Sequence, residues 1–459
     1  MIGVETLVGC VNTAIQSVAN TDELGILQLS SIVKDFDSNT VYAVANVASL
    51  PSAACNKGRM IFITDRCAYR ISDGTRWIND FTSNTVTNAL YAWGTSLCGA
   101  LGDGTTVSKS SPVSVVGGFT DWCQVCTGQS HTTGLRTNGT IWAWGTGSVG
   151  ELGDGTTVSK SSPVSVVGGF TDWCQISASS CSSIGIRTTG SLWSWGSNAQ
   201  GQLGDGTTVN RSSPVSVVGG FTDWCRISTG AVHGLGIRTN GTAWAWGFNL
   251  YGRLGDGTTV SKSSPVSVVG GFTDWCQISA GLAHGLGVRT NGTAWAWGQN
   301  CRAVVGATGA LGDGTTVNKS SPVSVVGGFT DWCQVSAGTY HSLGVRTNGT
   351  AWAWGHNCCG RLGDGTTVTK SSPISVIGGF TDWCQISAGQ FHSAGVRTNG
   401  TAWGWGCACN GRLGDGTTVD KSSPVSVLGG IINWCQVSAG TGTNGTSFGI
   451  VLGKGFAAI

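Results

Sequence analysis

Seven copies of Leu-Gly-Asp-Gly-Thr-Thr begin at Leu101, Leu152, Leu203, Leu254, Leu311, Leu362 and Leu413, at intervals of 51 residues with a single interval of 57. A unit of this length, copied almost letter for letter, is too small to bury a core alone, so neighbouring copies must pack on one another. The repeat begins near residue 89, leaving about 88 residues of unrelated sequence in front. Two parts follow: residues 1–88 and residues 89–459.

One unit reads as four short strands. In one copy these are Trp275 to Ser279, Gly285 to Thr290, Thr293 to Gly298 and Ser321 to Gly327. β-Branched and aromatic residues fill them, and Gly, Asn, Asp and Pro separate them. Asn291-Gly292 joins the second and third strands, a hairpin signal because both turn positions favour positive φ. Such a meander cannot cover both of its faces, whereas a ring of them packed face to face can, with Trp between the sheets. The expected fold is all-β: a seven-bladed β-propeller of four-stranded antiparallel blades, preceded by a small α+β domain. The repeat region opens on a third strand (Ala89 to Gly94) and ends on a first strand (Trp434 to Ser438) and a divergent second strand near Ser447 to Leu452. One blade therefore needs strands from both ends of the region.

Composition narrows the function. Charged residues make up 10 % of the chain and the net charge is +2, which leaves no nucleic-acid footprint. No apolar run approaches the roughly 20 residues of a membrane span, and the start lacks a secretory signal, so membrane insertion is not expected. Of 18 cysteines, seven recur after the Trp of the first strand, which reads as a buried small hydrophobe. Cys98, Cys301, Cys358, Cys359, Cys407 and Cys409 fall in loops, in spacings that match no zinc pattern, so no metal is assigned.

The run Gly-x-x-His, Arg-Thr-Asn-Gly-Thr-x-Trp-x-Trp-Gly, then Leu-Gly-Asp-Gly and Ser-Pro-Val, as in Gly281 to Trp297 and Leu311 to Val323, resembles the regulator of chromosome condensation repeat. The resemblance implies a seven-bladed propeller. It implies little about function, because that family includes an exchange factor, ligase-associated modules and many uncharacterised proteins. It also implies a structural role for His131, His233, His284, His341 and His392, which share one repeat position. Asp103 and its equivalents read as Asp-Gly turns closed by the carboxylate on local N–H groups; the spaced oxygen ligands of a calcium loop are missing. With no Ser-His-Asp set, isolated carboxylate pair or nucleotide loop, neither enzyme activity nor a cofactor is expected.

The copies differ mainly in two windows, between strands one and two and after each Trp-Gly. Alternating strand direction places both at one end of the ring and the near-invariant Arg-Thr-Asn-Gly-Thr and Gly-Gly-Phe-Thr-Asp-Trp loops at the other. The varied face is the candidate binding surface: Gln129, Ser130, Phe248, Leu250, Tyr251, Arg302, Val304, Val305, Thr339, Tyr340, His356, Asn357, Gln390, Phe391 and Asn410. Phe248, Tyr251, Tyr340 and Phe391 are expected to be exposed there, suited to a sugar or protein surface.

In front of the repeat, apolar spacing over residues 3–36 predicts two short amphipathic helices, which leave room for a homo-oligomer. Arg59 to Thr64 and Cys67 to Ser72 predict a hairpin. The stretch Val44 to Asp80 resembles the start of fibre and appendage proteins of tailed bacteriophages. That resemblance implies a tail- or head-fibre virion protein assembled in the host cytoplasm. The N-terminal domain would dock on other virion proteins, and the propeller would bind a host-surface glycan or protein receptor. Two alternatives stand beside it: an intracellular scaffold or exchange-factor-like regulator that binds a partner protein, and a carbohydrate-binding lectin.

Overall fold

The computed structural model describes residues 42–44, 60–63, 68–72, 77–78, 88–302, 306–441 and 445–452. Within residues 88–452 seven four-stranded antiparallel sheets form in chain order, each at the spacing of the repeat. In blade 5 the strands are Trp275–Ala280, His284–Arg289, Ala294–Gly298 and Lys319–Ser324, within a few residues of the expected bounds. Blades 2, 3, 4, 6 and 7 begin at Trp122, Trp173, Trp224, Trp332 and Trp383. Blade 1 closes the ring. Its order is Trp434–Ala439, Thr446–Leu452, Asn88–Gly94 and Lys109–Ser114, so the late strand lies between the last first-strand and the opening third-strand.

The core lies between blades, not within them. Each of seven apolar clusters draws side chains from two successive sheets. Between blades 4 and 5, Leu235, Ile237 and Ala245 meet Trp275, Ile278 and Trp297. The two indoles meet edge to face with centroids 5.9 Å apart, and Trp297 Nε1 donates to Arg253 O at 3.0 Å. Edge-to-face contact with a paired N–H is how a large indole is buried without loss.

The first strands of successive blades pack against one another around the axis. They are too far apart for a backbone ladder, and glutamine side chains bridge them. Gln385 Nε2 donates to Val437 O and its Oε1 accepts from Val437 N, both at 2.8 Å. Gln124 does the same to Ile176, and Gln334 to Ile386. Serines repeat the pattern one pair on: Ser336 and Ser387 accept from Ala388 N and Ala439 N at 2.9 Å. Replacing Gln385 by Leu leaves both polar groups of Val437 without their partner, which should cost about 2 kcal/mol in urea unfolding. An unchanged midpoint would show that the belt contributes nothing.

In the N-terminal part, Met60–Ile63 pairs antiparallel with Ala68–Ser72, as the hairpin pattern predicts, and Ala68–Ser72 pairs with Trp77–Ile78. A fourth strand, Tyr42–Val44, runs parallel to Met60–Ile63 and was not anticipated. The two helices expected over residues 3–36 lie outside the described residues.

Candidate functional site

The near-invariant end of the ring has a packing cause. In blade 5 Arg289 Nε bonds Asp274 Oδ1 at 2.8 Å while its guanidinium lies 4.0 Å from the Phe272 centroid. The hairpin turn at Gly292 reaches the next blade, where its carbonyl accepts from Trp332 N at 3.0 Å. Gly292 has φ +74°, and a Cβ there would lie 2.0 Å from Thr330 O, so both conformation and clearance demand glycine. Six copies of the Arg–Asp pair hold that end together.

At the opposite end the two varied windows join. Backbone bonds link them within each blade: Thr146 N to Ser130 O, Phe248 N to Val232 O, His356 N to Tyr340 O and Cys407 N to Phe391 O, at 2.8–2.9 Å. Links also run between blades. Arg253 Nη1 donates to Leu282 O at 3.2 Å and Arg361 Nη1 to Gln390 O at 2.7 Å. One continuous surface results. At its centre is a cavity of about 100 Å³ lined by Gln129, Ser180, Ala231, Leu282, Gln390 and Thr441 among others. Thr441 spans the axis there, its Oγ1 3.2 Å from Ser179 Oγ and its carbonyl accepting from Thr339 Oγ1.

The structure sorts the expected surface residues. Leu250 is 51 % exposed, and Asn410 is exposed with its Nδ2 donating to Thr95 Oγ1. Gln129, Ser130, Phe248, Tyr251, His356, Gln390 and Phe391 are half-buried. Tyr340 is 9 % exposed and lies edge-on to His356, and Thr339 is buried, so the expectation of an exposed Tyr340 is corrected. Phe248, Tyr251 and Phe391 are corrected in the same sense because each covers an arginine. Asn357 is fully buried: its Nδ2 donates to Asp364 Oδ1 and Thr366 O at 3.0 Å, and its Oδ1 accepts from Leu362 N. Asn198, Asn249 and Asn300 staple their loops alike. Arg302 lies in a two-residue strand, Cys301–Arg302, paired with Gly306–Ala307, and Val304 and Val305 lie outside the described residues.

Sequence reasoning passed over the residue before each Leu-Gly-Asp-Gly. There Arg253, Arg361 and Arg412 are buried. Their charge meets aromatic faces: Arg253 lies 4.8 Å from the Phe248 centroid, and Phe391 lies 5.2 Å from Arg361 and 5.7 Å from Arg412. Burial lowers the Arg253 pKa to about 10. Glu151 holds the same position in blade 2, where burial raises its carboxyl above the usual range.

The ring histidines are structural in a specific way. His131, His284, His341 and His392 place Nε2 2.8–3.0 Å from Ser183, Ser342, Ser393 and Ser447 of the next blade. Each serine gives its one proton to a backbone carbonyl, of Glu151, Ala310, Arg361 and Arg412 respectively. The His284, His341 and His392 imidazoles must then donate from Nε2, which assigns them the neutral Nε2–H tautomer, whereas the His131 ring also bonds the Ser180 backbone. Gly285 takes the place of that serine after His233, and among the described residues neither His233 nitrogen has a hydrogen-bond partner. The Asp-Gly turns also behave as expected: Asp256 Oδ1 accepts from Thr258 N and Oγ1.

A family model described as the RCC1-like domain matches residues 89–446. The ultraviolet-B receptor UVR8 of Arabidopsis thaliana is 28 % identical over 347 residues, 73 % of this chain and 76 % of the receptor. The human ubiquitin ligase HERC2 is 28 % identical over 307 residues, 64 % of this chain but 6 % of the ligase, so the chain spans a small part of that relative. Among solved structures, Prp20p of Saccharomyces cerevisiae superposes with a TM-score of 0.70 at 19 % identity, covering 80 % of this chain and 92 % of that one. Human WBSCR16 gives 0.69 at 19 % identity, covering 80 % and 99 %.

These relatives overturn the expectation drawn from the N-terminal stretch. They are a photoreceptor, a ligase and propellers of the Prp20p kind, and nothing among them supports a phage fibre. The virion location, the docking on other virion proteins and the host-surface receptor fall with it. The match over residues 89–446 and the seven closed blades establish that the chain belongs to the RCC1-like domain family.

Proposed function

We propose that this chain is a non-catalytic regulator that binds a partner protein through the face carrying the strand one-to-two and three-to-four loops. RCC1-like family membership accords with a protein that is not an enzyme. The observation that carries the reading is the fusion of the two varied windows into one bonded surface. Leu250 stands exposed on it, and Phe248, Tyr251 and Phe391 lie half-buried in it, on blades 4 and 7. Aromatic side chains already held against arginine lose little freedom on docking, which is what protein-binding anchors need. The neighbours support a protein partner: Prp20p is described by its binding to Gsp1p and histones, and by its complex with Kap60.

The test compares two variants at equal melting temperature. Leu250→Ser with Phe391→Ala alters the varied face, and Thr222→Lys with Thr273→Lys alters exposed positions on the uniform end. Partners captured by the wild-type chain should bind the first variant about tenfold more weakly, or worse, and the second unchanged. Equal binding by the first variant, or loss confined to the second, overturns the reading.

A further inference from the structure

Two successive loops of the varied face bring cysteines together. Cys358 and Cys359 lie in the loop of blade 6, and Cys407 and Cys409 in that of blade 7. The Cys359 and Cys407 sulfurs and an Asp420 carboxylate oxygen all lie within 4.8 Å of one another. Cys409 Sγ is 2.9 Å from Cys407 Sγ, well beyond a disulfide bond of about 2.05 Å. Cys407 is 6 % exposed, Cys359 half-buried, and Cys409 and Asp420 open to solvent, so the cluster has a buried floor and an accessible mouth.

The repeat shows what is unusual here. At the position of Asp420 the other copies carry Ser108, Ser159, Asn210, Ser261, Asn318 and Thr369, each accepting from a backbone N–H at the start of its loop. Asp420 Oδ1 makes that bond too, to Ala408 N at 2.8 Å, which leaves the second oxygen for another partner. The seventh copy alone puts a carboxylate there. It also has Ala408 where four copies have the buried asparagine that staples the loop, so this loop lacks its internal brace.

We propose that Cys359, Cys407, Cys409 and Asp420 bind a thiophilic divalent cation, zinc foremost, which clips the blade 6 loop to the blade 7 loop. Three thiolates and one carboxylate make a closed tetrahedral set of the kind zinc takes at structural sites. A zinc–sulfur bond of about 2.3 Å places tetrahedral ligands roughly 3.8 Å apart, near the spacing of Cys359, Cys407 and Asp420, whereas Cys409, in contact with Cys407 but outside that group of three, joins by rotation of its exposed side chain. Binding exchanges the thiol protons for the cation and releases them to solvent; no oxidant or reductant is involved. The set carries excess negative charge, and the buried Arg361 and Arg412 act electrostatically on Cys407. Cys358 stays outside the set because its sulfur contacts Arg361 Nη2. Ligands from two repeats, separated by a whole blade, are invisible to a spacing rule.

The full chain, purified under reductant and stripped with a chelator, is titrated with cobalt(II) as a spectroscopic stand-in. One equivalent should produce sulfur-to-cobalt charge-transfer absorption and the visible bands of a tetrahedral site, and zinc should displace it. Cys407→Ser should abolish the signal, and Asp420→Asn should weaken affinity roughly tenfold or more while keeping the charge-transfer band. Cys98→Ser with Cys301→Ser should change nothing. Zinc should raise the melting temperature of the wild-type chain and not of Cys407→Ser, a readout independent of colour. No thiolate–cobalt band in the reduced wild-type chain, an undiminished band in Cys407→Ser, or a Cys407–Cys409 disulfide that persists under reductant would each overturn the proposal.

Discussion

Ending the chain after Ala439 should abolish the closed ring. The strand Thr446–Leu452 is internal to blade 1, paired on one side with Trp434–Ala439 and on the other with Asn88–Gly94 over its full length. Its removal leaves two bare strand edges facing each other across a gap, each a template for pairing with another chain. It also removes Phe448 and Ile450, both fully buried beside Trp122 and Trp144. Loss of a buried Phe alone costs about 3–5 kcal/mol, and loss of the Ile adds roughly 2–5. The sum is comparable to the whole stability of a domain, about 5–15 kcal/mol. The shortened chain should therefore lose its cooperative transition, show weakened near-ultraviolet tryptophan dichroism and elute as higher-order species. A compact monomer with the wild-type melting temperature would mean that closure does not hold the ring. Phe448→Ala in the full chain separates the two contributions, since it keeps both ladders and loses only the packing.

That closure is legible in the sequence, because the copies share a register: a region opening on a third strand and ending on a first has to complete one blade from both ends. Strand bounds were legible for the same reason. Side-chain direction within the loops was not. Tyr340 and Asn357 sit in windows where the copies differ, yet both turn inward. The signal for Asn357 was present, since Asn198, Asn249 and Asn300 hold the same place, and a residue kept in four of seven copies of a changing window points to a structural role. The histidine contacts escaped because they join residues one repeat plus one apart: His131 reaches Ser183 at a separation of 52. Periodicity places both residues on second strands, but only the packing of one blade on the next shows that they touch. In front of the repeat no template exists, so a local hairpin could be read and the parallel strand Tyr42–Val44 could not. The fibre-like stretch there misdirected the functional reading, for it says nothing of the propeller that makes up most of the chain.

The histidine ring should make the fold acid-labile well above the pH at which carboxylates protonate. Burial holds the His131 imidazole at about 4, and burial together with Arg253 does the same for His284. Burial also lowers His233, His341 and His392 well below the usual value, reinforced by Arg253, Arg361 and Arg412 respectively among other charged neighbours. In the unfolded chain these groups return to about 6.5. The folded pKa is thus the lower one, so the unfolded state takes up protons first as pH falls. The stabilising contribution is complete above 6.5 and is lost progressively between 6.5 and the folded value near 4. Each of the two groups with a value near 4 contributes about 3 kcal/mol over that window, so the pair alone approaches half or more of a typical domain stability. Glu151 opposes the trend, because its raised carboxyl pKa makes protonation favour the folded state, but it is a single group. Urea midpoints should therefore be flat from pH 8 to 7 and fall steeply from 6.5 toward 4.5. Replacing His131 and His284 by Ser uses a residue the ring already accepts, since Ser182 occupies the same position in blade 3. The double variant should be less stable at pH 7 and show a shallower fall below 6.5, so that the two stability curves converge in acid. Parallel curves over the whole range would show that these imidazoles are not held neutral by burial.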